Sequence, residues 1–327
     1  MTQRPNRPCE CGECPTTPIR RRGRAAAVVA LCLLFCLLVA CSLAGCGAAA
    51  ADGSPAEPSG DGGLVARALD DYSWDELAEV SARIAAAGSD EEGTAIAREF
   101  GILDESGAIA DQVRRFLLTD GTVCEVRVVG VRHDEKADGS GKAGLTFLCA
   151  EVPAEARYNA TDTVDGGWEA SGLRAWLASD FKALLPKDLA GLLVPVRKLS
   201  NNVGFTQDVS AVTGTSDELW VPSAREVLGD VDWFTTEYQD GAAVFDDVLN
   251  AEGAQYQWFA QALAADGTAA LTRTYKGAST GWWLRSVVPS SQWFGDAPYA
   301  SYVMDTGYPE GQASPTETEG ALVGFCL

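Results

Sequence analysis

The sequence predicts an α+β domain carried behind an N-terminal membrane segment. Three observations predict it. An uncharged apolar run fills residues 25–45. Helical periodicity extends from Leu64 to about Phe100. From about residue 113 the pattern changes to short alternating strands, turns and brief helices.

The N-terminal segment is read first. Six arginines (Arg4, Arg7, Arg20, Arg21, Arg22, Arg24) precede the run AAAVVALCLLFCLLVACSLAG, against Glu10 and Glu13. Basic flank, apolar stretch and small residues is the order of a secretory signal. The run is also long enough to span a hydrocarbon core of ~30 Å as a helix, with the arginine side inside. It ends in Leu43-Ala44-Gly45-Cys46, which resembles the lipobox of bacterial lipoproteins. That resemblance implies lipidation of Cys46 and a mature chain beginning there; an uncleaved anchor helix is the alternative. Either way the rest of the chain is expected on the extracellular face of the cell membrane. Cys9, Cys11 and Cys14 precede the signal and read as part of a dispensable extension.

Residues 1–46 hold six of the 25 basic and two of the 46 acidic side chains, so the remainder carries 19 and 44, a net of −25. Such a surface lacks the basic footprint that nucleic acid requires. Three cysteines follow Cys46 (Cys124, Cys149, Cys326), and His133 is the single histidine. No disulfide framework, multi-histidine metal site or cofactor motif is expected from this set.

Residues 47–63, GAAAADGSPAEPSGDGG, read as a flexible linker. Residues 64–112 follow as a helical stalk or lid. Ser73 and Glu76 have the spacing of a capping box, Leu77, Val80 and Ile84 recur on one face, and Ser89 opens a second helix over Ile96 and Phe100.

In residues 113–327, Cys124, Val126 and Val128 alternate with polar residues, as do Leu145, Phe147 and Cys149 with their neighbours. A hairpin pairing Val128 with Leu145 and Val126 with Phe147 sets Cys124 opposite Cys149 with all six on one face. A cross-strand disulfide and two buried free thiols both fit that placement. His133 to Gly141 reads as a polar turn. Leu173, Trp176 and Leu177 predict a short helix, Pro186 a break, and Ser223 with Glu226 a second capping box. The acidic stretch 230–250 reads as a surface excursion. Gly281 to Ser286 and Gly324 to Leu327 read as strands.

Four blocks in this order resemble an uncharacterised domain family of bacterial surface proteins: Gly-Gly-Trp-Glu-x-Ser-x-x-Arg (166–174), Leu-Trp-Val-Pro-Ser-x-x-Glu (219–226), Gly-Trp-Trp-Leu-Arg-Ser (281–286) and the terminal Gly-Phe strand. More distantly, Val221-Pro222-Ser223-x-x-Glu226 and Gly324-Phe325 are similar to C-type-lectin-like folds of the formylglycine-generating type. That likeness implies antiparallel strands with two flanking helices and a last strand closing beside the first. Cys326 stands where that type carries arginine.

The function expected from these features is recognition at the cell surface, with a glycan or surface protein as ligand and the membrane as anchor. Eight of nine tryptophans lie beyond residue 160, and indoles stack on sugars or anchor protein partners. Trp282 and Trp283 must point to opposite faces of their strand. Trp283 and Arg285 share one face, and Asp217 or Asp305 could pair with the arginine. Trp283, Arg285, Asp217, Trp220 and Asp305 are therefore the candidate ligand-binding residues. No residue is assigned a catalytic role. An envelope hydrolase or oxidase and a structural envelope component are the competing readings.

Overall fold

Helix caps and strand alternation set the first elements of the fold. The computed structural model describes residues 64–238, 242–290 and 297–327. The apolar run, the lipobox with Cys46, the linker 47–63 and Cys9, Cys11 and Cys14 lie outside the described residues.

Helix α1 spans Trp74–Ala85. It is opened by the expected box, in which Ser73 accepts from the Glu76 amide and Glu76 accepts from the Ser73 amide. Trp74, Leu77, Val80 and Ile84 line its buried face. Helix α2, Asp90–Glu99, is capped by Ser89. Both helices belong to the same core as the sheets. Trp74 packs edge-on against Phe116, Phe147 and Phe325. The fit is close at Gly144, where a Cβ would stand 1.9 Å from the Ser81 carbonyl oxygen.

Strands β1 (Arg114–Leu117), β2 (Val123–Val131) and β3 (Leu145–Cys149) run antiparallel, and β4 (Ala154–Arg157) follows. In the β2–β3 pair Val126 faces Cys149 and Val128 faces Phe147, two residues away from the expected register. A bulge between Val128 and Gly130 then brings Val131 opposite Leu145. A slip of two keeps every side chain on its face, so the hydrophobic alternation could not detect it. Cys124 and Cys149 become diagonal neighbours, both buried free thiols with sulfurs 3.4 Å apart.

Short elements follow: α3 (Gly172–Trp176), running into one wide helical turn at Leu177–Phe181, and α4 (Lys187–Ala190), which starts at Pro186. Strands β5 (Val196–Asn201) and β6 (Val212–Asp217) make a hairpin. Helix α5 (Ala224–Leu228) has the second expected box, Ser223 with Glu226. The stretch 230–250 is more than a surface excursion: it forms α6 (Trp233–Tyr238) and α7 (Ala243–Asn250). Buried Asp246 accepts from the amides of Phe234 (3.0 Å) and Thr235 (2.8 Å), so an acidic residue here satisfies the start of α6.

Helix α8 (Gln257–Asp266) leads to the hairpin β7 (Arg273–Tyr275) and β8 (Ala278–Thr280). Strands β9 (Trp282–Val287), β10 (Ala300–Val303), β11 (Gly311–Ala313), β12 (Thr318–Ala321) and β13 (Gly324–Cys326) complete the order.

Two sheets dominate. One is β1-β2-β3-β13, the other β11-β10-β9-β12-β4, with β12 parallel to β9 and the other pairs antiparallel. The architecture is mixed α+β with several helices. The last strand pairs with β3, whereas the likeness to lectin-type folds implied pairing with the first strand. Its Gly324 lies against Trp220: a Cβ there would be 3.0 Å from the indole nitrogen, which accounts for glycine in the Gly-Phe pair. No helix among the described residues is long and apolar enough to cross a membrane.

Candidate functional site

The five residues singled out from the sequence do not assemble on one surface. Trp282 and Trp283 do point to opposite faces of β9, but that strand is interior to its sheet and both indoles are fully buried. Trp282 donates to the Leu271 carbonyl (2.9 Å) and Trp283 to the Ala156 carbonyl (2.8 Å). Trp220 is also buried, beneath the Lys198 ammonium at 4.5 Å. Asp305 is exposed, in the turn between β10 and β11.

Asp217 is buried and takes Arg174 Nε (2.6 Å), Trp168 Nε1 (3.1 Å) and the Thr215 hydroxyl. The first resemblance block, 166–174, is thus built around a carboxylate 43 residues away from Arg174. Asp217 lines a cleft of about 390 Å³, but there Arg174 is paired with it and Lys182 with Glu218.

Arg285 pairs with neither Asp217 nor Asp305; its partner is Glu226. The guanidinium is wholly enclosed, also donating to Ser200 Oγ (2.9 Å) and the carbonyls of Leu199, Val221 and Glu252. Glu226 also holds the Lys198 ammonium at 2.6 Å, and Lys198 reaches Asp134 at 2.6 Å and the Tyr256 hydroxyl at 2.7 Å. The sequence reading placed His133 to Gly141 in a polar turn. Asp134 instead points inward, and Thr146 also donates to it.

Alternating charges along Asp134, Lys198, Glu226 and Arg285 compensate one another, as buried ions must. Burial would raise both carboxyls, but Lys198 and His133 hold Asp134 well below the usual range. Arg285 and Lys198 likewise hold Glu226 low. Glu252 is different. It accepts from the Asn201 amide (2.8 Å) and the Ser286 hydroxyl, but burial pushes its carboxyl up to about 7. Every member of this chain is almost fully enclosed, so no substrate atom reaches it. Its role is to lock α5, β5 and β9 together.

An arrangement of another kind lies on the outer face of β2. Arg127 projects outward there, as the alternation requires, but α8 crosses above it. Its guanidinium sits 4.3 Å from the centre of the Trp258 ring. Arg273, at the start of β7, lies 5.7 Å from the same ring and 5.8 Å from that of Trp282. Together with Glu151 and Asp111 they line a groove of about 390 Å³ whose α8 wall carries Ala262, Ala265 and Asp266.

The two guanidiniums in this groove are incompletely paired, although three carboxylates line it. Arg127 meets Asp111 at 3.3 Å, but that carboxylate is almost fully exposed. Arg273 is buried; its Nη1 donates to the carbonyls of Ala270 and Thr272, both at 2.7 Å. The Nε atoms of both arginines are buried without a partner. Burial, and then the charge of Arg127, pull Arg273 down to about 10. Two arginines brought together at a cleft, with donors left over, make the groove a candidate ligand site. Alternation along β2 assigned Arg127 to solvent, and Arg273 carried no motif. Only the position of α8 reveals the pair.

Among the described residues no cluster of histidine, cysteine, aspartate and glutamate is placed to hold a metal ion.

Neither a curated protein nor a solved structure matches the chain. A family model described as a domain of unknown function (DUF6273) matches residues 143–316. The matched stretch carries three of the four resemblance blocks, together with Lys198, Glu252, Trp258 and Arg273, and takes in more than half of the sequence. The chain therefore belongs to the DUF6273 family of domains of unknown function.

Proposed function

We propose that the protein is a recognition module displayed on the outer face of the cell membrane. In this reading residues 1–46 are the signal ending at a lipid-modified Cys46, or an anchor helix over 25–45 if uncleaved. Residues 47–63 are the tether, 64–112 the helical lead-in, and 113–327 a domain akin to C-type-lectin-like folds. The ligand is a glycan or a surface protein.

The observation that carries the reading is the groove of Arg127, Trp258 and Arg273. It combines an indole with cationic donors that the protein itself leaves unmatched, within a strongly acidic chain. Ligand sites set a few placed polar groups beside apolar walls, and here Trp258, Ala262 and Ala265 stand beside the two arginines. The groove replaces Trp283 and Arg285 as the surface to test, because those two are consumed in the core.

Two measurements test the proposal. Mass spectrometry of the mature N-terminus should find diacylglycerol on Cys46; an intact Met1 would instead support the anchor helix. The full chain in mild detergent should capture a ligand from arrays of glycans, cell-wall fragments and surface proteins, and Trp258→Ala should weaken that capture. Absence of any captured ligand would refute recognition.

A further inference from the structure

We infer that the groove of Arg127, Trp258 and Arg273 is a site for a small ring-bearing monocarboxylate, its charge held by the two guanidiniums and its ring against the alanine-lined wall of α8. This rests on the recognition reading and narrows it to a chemical class.

The charge requirement comes from the arginines. A guanidinium presents five donors in a planar fork that matches a carboxylate. Arg273 spends Nη1 on two backbone carbonyls, and among the described residues no carboxylate is in ion-pair contact with it. Arg127 spends Nη1 on exposed Asp111, a partner that water and salt screen. On each arginine Nη2 remains for a ligand, and Nε is buried without a partner in the protein. Guanidiniums left this far short of partners are unfavourable by themselves, so they gain from an arriving anion, which the Nη2 groups can meet at the groove.

A single negative charge fits better than a double one. Glu151 lines the same groove, its Oε2 taken by the amide and hydroxyl of Thr274, and Asp111 and Asp266 line it as well. These carboxylates oppose a phosphate dianion more strongly than a monoanion. The ring requirement follows from the walls. Ala262 and Ala265 leave space beside Trp258, and about 390 Å³ lies at the small end of ligand cavities, room for one substituted ring.

An acidic sugar and an aromatic acid share this chemistry, and calorimetry on the full chain in nonionic detergent separates them. The probes are galacturonate with galactose as its uncharged twin, benzoate with benzamide, and inorganic phosphate. At least one carboxylate should bind at least ~10-fold more tightly than its twin and than phosphate. Galacturonate binding alone would mark the acidic sugar, and benzoate binding alone the aromatic acid.

Arg127→Gln, at a partly exposed position, should fold normally and weaken binding ~10–100-fold, the effect of losing a charge-assisted hydrogen bond. Arg273→Lys, which keeps the charge but not the fork, should also weaken it. Equal binding of a carboxylate and its twin, tighter binding of phosphate, or no carboxylate binding overturns the inference. So does full binding in Arg127→Gln. A ligand from the arrays that Arg127→Gln still captures would overturn this site while leaving recognition standing.

Discussion

Replacing Glu252 by glutamine should flatten the pH dependence of stability between about pH 4.5 and 7. The carboxyl ionises near 4.5 in an unfolded chain but only near 7 in the fold, because burial opposes its charge. Within that window the native state holds the extra proton. The stabilisation from the neutral form is therefore complete below 4.5 and is lost as pH rises through 7. At 1.36 kcal/mol per pKa unit, the loss amounts to about 3 kcal/mol. Glutamine fits the same contacts: its carbonyl can accept from the Asn201 amide and its NH2 can donate to Ser286 Oγ, reversing the present bond. Glu319, also raised to about 7 by burial, titrates in the same range, but it is half-exposed and present in both proteins, so the difference isolates Glu252. Asp134 and Glu226 are held low, and their contribution disappears only on acidification below the ordinary carboxylate range. Urea unfolding followed by tryptophan fluorescence at pH 5 and pH 8 is the assay. The parent should lose about 2.5 kcal/mol more than the variant between the two, part of the full loss having already occurred at pH 5. Parallel losses in both proteins would refute the account of Glu252.

Three further outcomes are expected. Lys198→Met strands Asp134 and Glu226 beside each other without their shared cation, and urea unfolding at pH 7 should show a loss of about 3–5 kcal/mol. Gly144→Ala drives a methyl into the Ser81 carbonyl; separating α1 from the sheet should cost about 1–3 kcal/mol in a thermal melt. Asp246→Ala leaves the Phe234 and Thr235 amides without their acceptor. It should destabilise by about 1–2 kcal/mol, with faster hydrogen exchange concentrated at the start of α6.

Local chemistry was legible in the sequence where it acts over a few residues. Both capping boxes stand where Ser73–Glu76 and Ser223–Glu226 predicted them, and the inward face of β2 and β3 is the expected one. Register was not legible, because a two-residue slip leaves a period of two unchanged. Charge placement failed for a related reason. Asp134 reads as part of a polar turn, and Lys198 and Glu252 carry no signal, until partners 50 or more positions away enclose them. Glu226 was correctly seen as a cap, yet the same carboxylate also faces Lys198 and Arg285. The tryptophans misled in the opposite sense: Trp283 looked like a contact residue and is core. Trp258, with no motif around it, overlooks the groove.

The pairing of β13 with β3, with the Ser81 hydroxyl donating to the Leu327 carbonyl 246 positions away, has a kinetic consequence. Contacts of such long range close large loops and slow folding. The first sheet cannot complete itself, nor Trp74 find Phe325, until nearly all of the chain following α1 is present. A polypeptide of this topology stays open while it is being made. That open state is what the export proposed above would require.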